Sequence, residues 1–206
     1  MSTTTIKKLS FEQFLEQYPD SYGIYELVNG EIVKVEPIRA HKNVARYLVR
    51  LFDREIERLE LDYIVDKDIV IKTVTKDGQE QGRIPDVSIV SQSLWNSNPL
   101  TYGALIEPPP LAVEVTSTNW EDDYVDKLDE YQRLGIPEYW IIDYWAIASR
   151  AYLGYPKVPT VLVYQLVNAQ YQPHTFTGSE PIISPTFPEL KLSVEQIITA
   201  SQIRKL

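Results

Sequence analysis

The stretch Leu111-Ala112-Val113-Glu114-Val115-Thr116 constrains this chain most. It is a short β-branched run with Pro108-Pro109-Pro110 before it and Ser117-Thr118-Asn119 after it, which is how a central strand is punctuated. Strand periodicity puts Leu111, Val113 and Val115 on one face and Ala112, Glu114 and Thr116 on the other. A carboxylate therefore projects from the middle of a core-grade strand. Such a group does not persist in a buried sheet without a partner.

The elements around that strand run helix, hairpin, long helix, hairpin, strand, helix, strands, which predicts an α/β fold: a mixed sheet with helices packed on it and peripheral hairpins. Ser10 and Gln13 form a capping box for a short helix carrying Phe11, Phe14 and Leu15 and ending near Pro19. Tyr22 to Val28 and Glu31 to Val35 flank Asn29-Gly30, a strong hairpin signal. From His41 to Leu61, Val44, Leu48, Phe52, Ile56 and their neighbours recur at helical spacing. Tyr63 to Val74 and Arg83 to Val90 read as two strands paired through Lys76-Asp77-Gly78, and a loop from Ser91 to Pro110 comes next. A helix is expected from Trp120 to Leu134, with three acids in its first turn and Gly135 and Pro137 stopping it. Glu138 to Tyr144, Ala148 to Leu153, Val158 to Val167 and Tyr171 to Phe176 read as strands, and a helix from Ser193 to Ile203 closes the chain. At 206 residues the length suits one domain: a helix and hairpin over 1–37, a core over 41–153, and C-terminal strands and a helix over 154–206.

Composition narrows the chemistry. No run approaches the roughly 18 apolar residues of a membrane helix, and the first residues lack the apolar segment of a secretory signal, so a soluble cytoplasmic protein with no membrane contact is expected. Zero cysteines exclude disulfides, thiolate metal sites and a cysteine nucleophile, and leave only His41 and His174 as nitrogen ligands. Any metal must be held mainly by oxygen. The net charge of −9 weighs against binding to phosphate backbones unless a local basic stripe or a bound cation offsets it.

In Ile84-Pro85-Asp86-Val87-Ser88-Ile89, Asp86 and Ser88 share one face, opposite Val87 and Ile89. If this strand neighbours the one carrying Glu114, the two carboxylates converge, and they repel unless a cation or a proton lies between them. Magnesium meets that requirement. On the helix after Glu114, Lys127 falls within the stripe of Tyr124, Leu128, Tyr131 and Leu134, so it must snorkel or meet negative charge near the sheet.

Pro85-Asp86 with Glu114-Val115-Thr116 after it resembles the motif of the PD-(D/E)XK nuclease superfamily. The longer run from Glu114 through Ser117, with Lys127, Tyr131, Gly135 and Ile136-Pro137-Glu138-Tyr139-Trp140-Ile141-Ile142-Asp143, resembles the Uma2 family, also called DUF820. Tyr25-Glu26-Leu27 with Gly30-Glu31-Ile32 resembles that family's N-terminal segment, His41 its helix start, and Ser184-Pro185 to Leu192 its C-terminal strand. The resemblance implies a restriction endonuclease-like core and a magnesium-dependent endonuclease, with manganese as a substitute, acting on nucleic acid and on DNA first, in a homodimer. By that analogy Asp86, Glu114 and the Val115 carbonyl hold the metal and Lys127 orients the attacking water, with Glu26, His41 and Thr116 in support. Thr116 stands where the superfamily pattern has its lysine, and Lys127 matches the place to which Uma2-like proteins move it.

Each residue also has a plainer reading. Asp86 can be a strand-entry residue, Glu114 and Lys127 a salt bridge without chemistry, His41 a packing residue and Asp143 a strand-end cap. Arg46, Arg50 and Arg54, with Arg58, can track phosphates or can belong to a mixed-charge solvated face. Glu55 falls on the apolar face of its helix and can meet Lys127, the metal or an arginine. Tyr139, Trp140, Tyr144 and Trp145 can stack on bases or form a dimer interface. Two further functions compete with the endonuclease: a nuclease-fold binding or assembly module without catalysis, and a metal-dependent hydrolase of small phosphoesters.

Overall fold

The computed structural model describes residues 8–202. Helix α1 (Phe11–Glu16) opens with the expected capping box, in which Ser10 accepts from the Gln13 amide while the Gln13 side chain accepts from the Ser10 amide. Strands β1 (Ile24–Val28) and β2 (Glu31–Val35) form the hairpin across Asn29-Gly30, both with positive φ as that tight turn requires. Helix α2 (Arg39–Leu59) buries Val44, Leu48, Phe52 and Ile56 along one stripe.

The two long strands expected next are not continuous. The first becomes β3 (Tyr63–Asp66) and β4 (Val70–Val74); the second keeps only β6 (Val87–Ser91), its first residue Arg83 ending a separate strand, β5 (Glu80–Arg83). The inner pieces, β4 and β5, pair with each other, and the outer pieces, β3 and β6, do likewise. The two pairs lie in different sheets. Asp66, Lys67 and Asp68 are exposed where the first strand breaks, and Pro85, which has no amide to give a ladder, sits where the second does.

The expected loop after Ser91 holds a short helix, α3 (Gln92–Asn96), and a two-residue strand, β7 (Ala104–Leu105), parallel to β4. Strand β8 (Leu111–Val115) is buried throughout. The helix expected after it is a π-helical turn (Asp122–Asp126) running into α4 (Lys127–Leu134), where Gly135 at φ 91° returns its amide to the Tyr131 and Gln132 carbonyls. Strand β9 (Glu138–Asp143) then lies parallel to β8. The strand expected over Ala148 to Leu153 is absent: Asp143 accepts from the Ile147 and Ala148 amides, capping a bend, and Arg150–Leu153 forms helix α5. Strands β10 (Thr160–Val167) and β11 (Gln170–Thr177) come after it. Instead of the strand expected from Ser184 to Leu192, only an isolated bridge joins Pro181 to Ser193 before α6 (Val194–Ser201).

The result is a six-stranded sheet, β11-β10-β9-β8-β6-β3, and a five-stranded sheet, β2-β1-β5-β4-β7. Helices α2 and α6 cover one face of the larger sheet, where Leu48 and Phe52 pack with Leu111, Val113, Val115 and Trp140. On its other face Ala112, Tyr139 and Ile141 pack with Tyr124 and Tyr131 from the helical segment after β8. The alternation read in Leu111 to Thr116 is therefore the one observed, and Glu114 faces the α4 side. Tyr139, Trp140 and Tyr144 are buried in these layers, so neither base stacking nor a dimer interface is open to them; Trp145, 58% exposed, is the exception. No helix among the described residues is long and apolar enough to cross a membrane.

Candidate active site

The chain passes from the smaller sheet to the larger one between Arg83 at the end of β5 and Val87 at the start of β6. That crossing brings acids from both sheets together. In the larger sheet Val87 pairs with Val113, so one step back along β6 and one step on along β8 set Asp86 opposite Glu114. The Val115 amide donates to Asp86 Oδ2 at 2.8 Å. The Val115 carbonyl leaves the strand on that same side, beyond the last β6 partner.

Glu114, 2% exposed, is gripped at both oxygens. The Tyr131 hydroxyl donates to Oε1 at 2.7 Å, and Lys127 Nζ lies 3.1 Å from Oε2. Lys127 also lies 3.5 Å from Glu26 Oε1 and 3.8 Å from Asp123 Oδ1. Glu26 comes from β1 of the smaller sheet and accepts the Ile84 amide at 3.0 Å. Arg83, 3% exposed, closes the ring: it donates twice to Glu130 at 2.9 and 2.8 Å and lies 3.5 Å from Glu26 and 3.3 Å from Asp122. Thr73 supplies a further donor to Glu130 at 2.6 Å.

The set brings Asp86, Glu114, Lys127 and Glu26 together, as the sequence predicts. His41 joins it: Nε2 lies 2.7 Å from Asp86 Oδ2, close enough for an ion pair but off the line of a hydrogen bond. The Thr116 hydroxyl is buried beside the site with no hydrogen-bond partner among the described residues. Arg46 lines a cleft that reaches Asp86, whereas Arg50 and Arg54 are exposed farther along α2 and do not line it. Arg58 leaves the expected stripe to bind Glu55 and Glu189, so Glu55 pairs with an arginine and meets neither Lys127 nor the site.

Four contributors escape a reading of the sequence alone. Asp122 and Asp123 have the ordinary place of acids in a first helical turn, and the π-helical turn carries them onto Arg83 and Lys127. The spacing of Asp123 and Lys127, four apart on one helical face, was the available signal. Arg83 and Glu130 look like a strand end and a solvated helix residue, and only the approach of the two sheets buries them.

Electrostatics derive from burial. Six carboxylates, Glu26, Asp86, Glu114, Asp122, Asp123 and Glu130, surround two permanent cations, Arg83 and Lys127. Burial pushes Glu114 well above the usual carboxylate range; Lys127 opposes this, and Asp86, Asp123 and Glu26 add to it. Burial likewise raises Asp123 to about 7. Lys127 is held well above its ordinary value because Glu114, Glu26 and Asp123 outweigh the burial that opposes its charge. Lys127 stays an ammonium, and Glu114 and Asp123 share protons beside it. A surplus of buried negative charge of this kind favours an added cation.

Known proteins of similar sequence and structure give the fold its family. A family model for Uma2, described as "Putative restriction endonuclease", matches residues 11–195. No curated protein matches the chain. A crystal structure from Anabaena variabilis ATCC 29413, described as "a putative nuclease belonging to DUF820", superposes with a TM-score of 0.70 at 18% identity, covering 94% of this chain and 99% of that one. The likeness establishes the fold, a restriction endonuclease-like α/β arrangement. With the family model spanning nearly all of the described residues, and with Glu114, Lys127 and Tyr131 in direct contact, the chain belongs to the Uma2 family.

Proposed function

We propose that this protein is a metal-dependent nuclease hydrolysing phosphodiester bonds of nucleic acid, DNA first, with Asp86, Glu114 and Lys127 at the reacting centre. The observation that carries the reading is Glu114 fixed between Lys127 and Tyr131, opposite Asp86, which opens on a cleft. The donors suit a hard divalent ion such as magnesium, or manganese in its place: they are oxygens in an acid-rich setting. No three acids or histidines among the described residues gather in metal-holding geometry. Asp86 and Glu114, brought opposite each other, would hold the ion with the Val115 carbonyl, water and phosphate oxygens completing its shell. When bound, the ion supplies Lewis acidity to the phosphate and to water beside it.

The chain's own groups have separable tasks. The Val115 amide fixes Asp86, and Tyr131 fixes the far oxygen of Glu114. Lys127, kept protonated by its acids, serves as a fixed positive charge offsetting the charge that develops on the phosphate, and not as a base. Glu26, itself held by the Ile84 amide and Arg83, positions Lys127.

A second reading has its own observation: Lys127 Nζ already sits among three carboxylates, as the counter-ion of a binding module without catalysis would. Millimolar magnesium or manganese separates the two. Under the nuclease reading the melting temperature rises by several degrees, on the order of 2.7 kcal/mol at one hundred times Kd. Glu114→Ala removes that rise, and Asp86→Asn abolishes cleavage of DNA. A wild-type protein indifferent to both metals, and cutting no nucleic acid in them, belongs to the second reading.

A further inference from the structure

A cleft of about 890 Å³ opens between the β1–β2 hairpin, the start of α2 and the segment before β7, and Asp86 reaches it while Glu114 and Lys127 stay behind. Burial separates its floor from its rim. Ile84, Pro85 and His41 are buried and Asp86 is half-buried, whereas Tyr22, Lys42, Arg46, Lys67 and Tyr102 are exposed. The rim is unusual in two respects. Tyr22 is 98% exposed and Tyr102 62%, and neither ring has an aromatic partner among the described residues. Lys42, Arg46 and Lys67 have no carboxylate within ion-pair distance among the described residues, although Glu36 and Asp68 share the lining and Glu36 feels the Lys42 charge, in a chain of net charge −9 whose other basic side chains include many in ion pairs.

Unpaired cations tracking a groove and free aromatic faces beside it are what a nucleic acid strand with unpaired bases requires: phosphates meet the cations, and bases stack on the rings whatever their sequence. The volume is that of a small-ligand pocket, which suits a nucleotide or two better than a length of double helix. A carboxylate at the floor lies where a phosphodiester would be delivered.

We propose that this cleft binds single-stranded DNA, with bases stacked on Tyr22 and Tyr102 and phosphates held by Lys42, Arg46 and Lys67, so that one phosphodiester reaches Asp86. The inference rests on the nuclease reading for the cleavage of a bound strand, and not for binding itself. It is tested with the full chain in EDTA, where no cleavage can occur, by fluorescence anisotropy of a short labelled oligothymidylate and of a blunt duplex of equal length. The single strand binds more tightly than the duplex. Tyr22→Ala with Tyr102→Ala weakens single-strand binding by about tenfold or more. Tyr155→Ala, at an exposed tyrosine outside the cleft, leaves binding unchanged. Lys42→Ala with Arg46→Ala lowers affinity and flattens the salt dependence by about 0.7 in log–log slope per cation removed. Equal binding of duplex and single strand, or a double-tyrosine variant that binds like the wild type, overturns the proposal. A protein that cuts nothing in any metal, yet binds single strands through these tyrosines, sustains the cleft and defeats the nuclease. One that cuts duplex DNA regardless of the tyrosines does the reverse.

Discussion

At the scale of single residues, Lys127 is the keystone of the ionic set, because among the described residues it is the one cation shared by Glu114, Glu26 and Asp123. Lys127→Met strands those buried charges and is expected to cost about 3–5 kcal/mol in urea unfolding. Tyr131→Phe removes one donor to Glu114 and costs about 1.5–3 kcal/mol. Combining Lys127→Met with Glu114→Gln restores part of the loss, since charge and counter-charge leave together. A Lys127→Met penalty below about 1 kcal/mol would mean that the acids already hold protons and need no amine. Asp86, Glu114 and Lys127 were legible in the sequence because each breaks a local pattern: a carboxylate inside an apolar strand, an acid in register with it, an amine within an apolar stripe. Arg83 and Glu130 break no pattern, since nothing local distinguishes a buried ion pair from two solvated side chains.

At the scale of elements, the close approach of α1 to β5 fixes how the smaller sheet presents Glu26 and Arg83. A Cβ on Gly82 would come within 2.9 Å of the Phe14 ring and 3.3 Å of the Leu27 Cβ, and Phe14 is fully buried. Gly82→Ala is therefore expected to destabilise by about 1–3 kcal/mol, and in combination with Phe14→Leu to cost less than the sum of the two single changes, measured by thermal unfolding. Strict additivity would show that the backbone moves away instead. The capping box of α1, the Asn29-Gly30 hairpin, α2, β8, β9 and the final helix were readable because each carries its own signal of cap, turn or period. The broken strands were not: β-branched residues favour extension equally well in either sheet, and where a strand changes partner is settled by tertiary pairing. The π-helical turn is hidden for the same reason, since its apolar spacing at Tyr124, Leu128 and Tyr131 passes for α-helix. Residues Ala148 to Leu153 failed for a different cause, the Asp143 carboxylate, which takes two backbone amides and turns the chain before a strand can continue.

At the scale of the whole molecule, a net charge of −9 and a buried surplus of acids act together. An acid whose folded pKa is raised binds more protons in the native state than in the unfolded one, so its contribution to stability is complete below the unfolded value and is lost as pH rises through the folded value. For Asp123 that window runs from 3.8 to about 7, and Glu114 shifts in the same direction. In EDTA, the melting temperature of Asp123→Asn should fall less than that of the wild type between the two ends of this window. Parallel curves would assign the decline to other groups. The overall architecture was legible as a mixed sheet with helices and peripheral hairpins; what local pattern does not carry is that the hairpins join into a second sheet, and that sheet is what encloses the acids. Only Ile84, Pro85 and Asp86 separate the end of β5 from the start of β6. Asp86, the carboxylate proposed to hold the metal, is thus borne on the joint by which one layer is tethered to the other. A change at that joint would not need to touch the acids at all to disturb them, because sliding one layer against the other would draw Glu26 away from Lys127 and Arg83 away from Asp122 and Glu130.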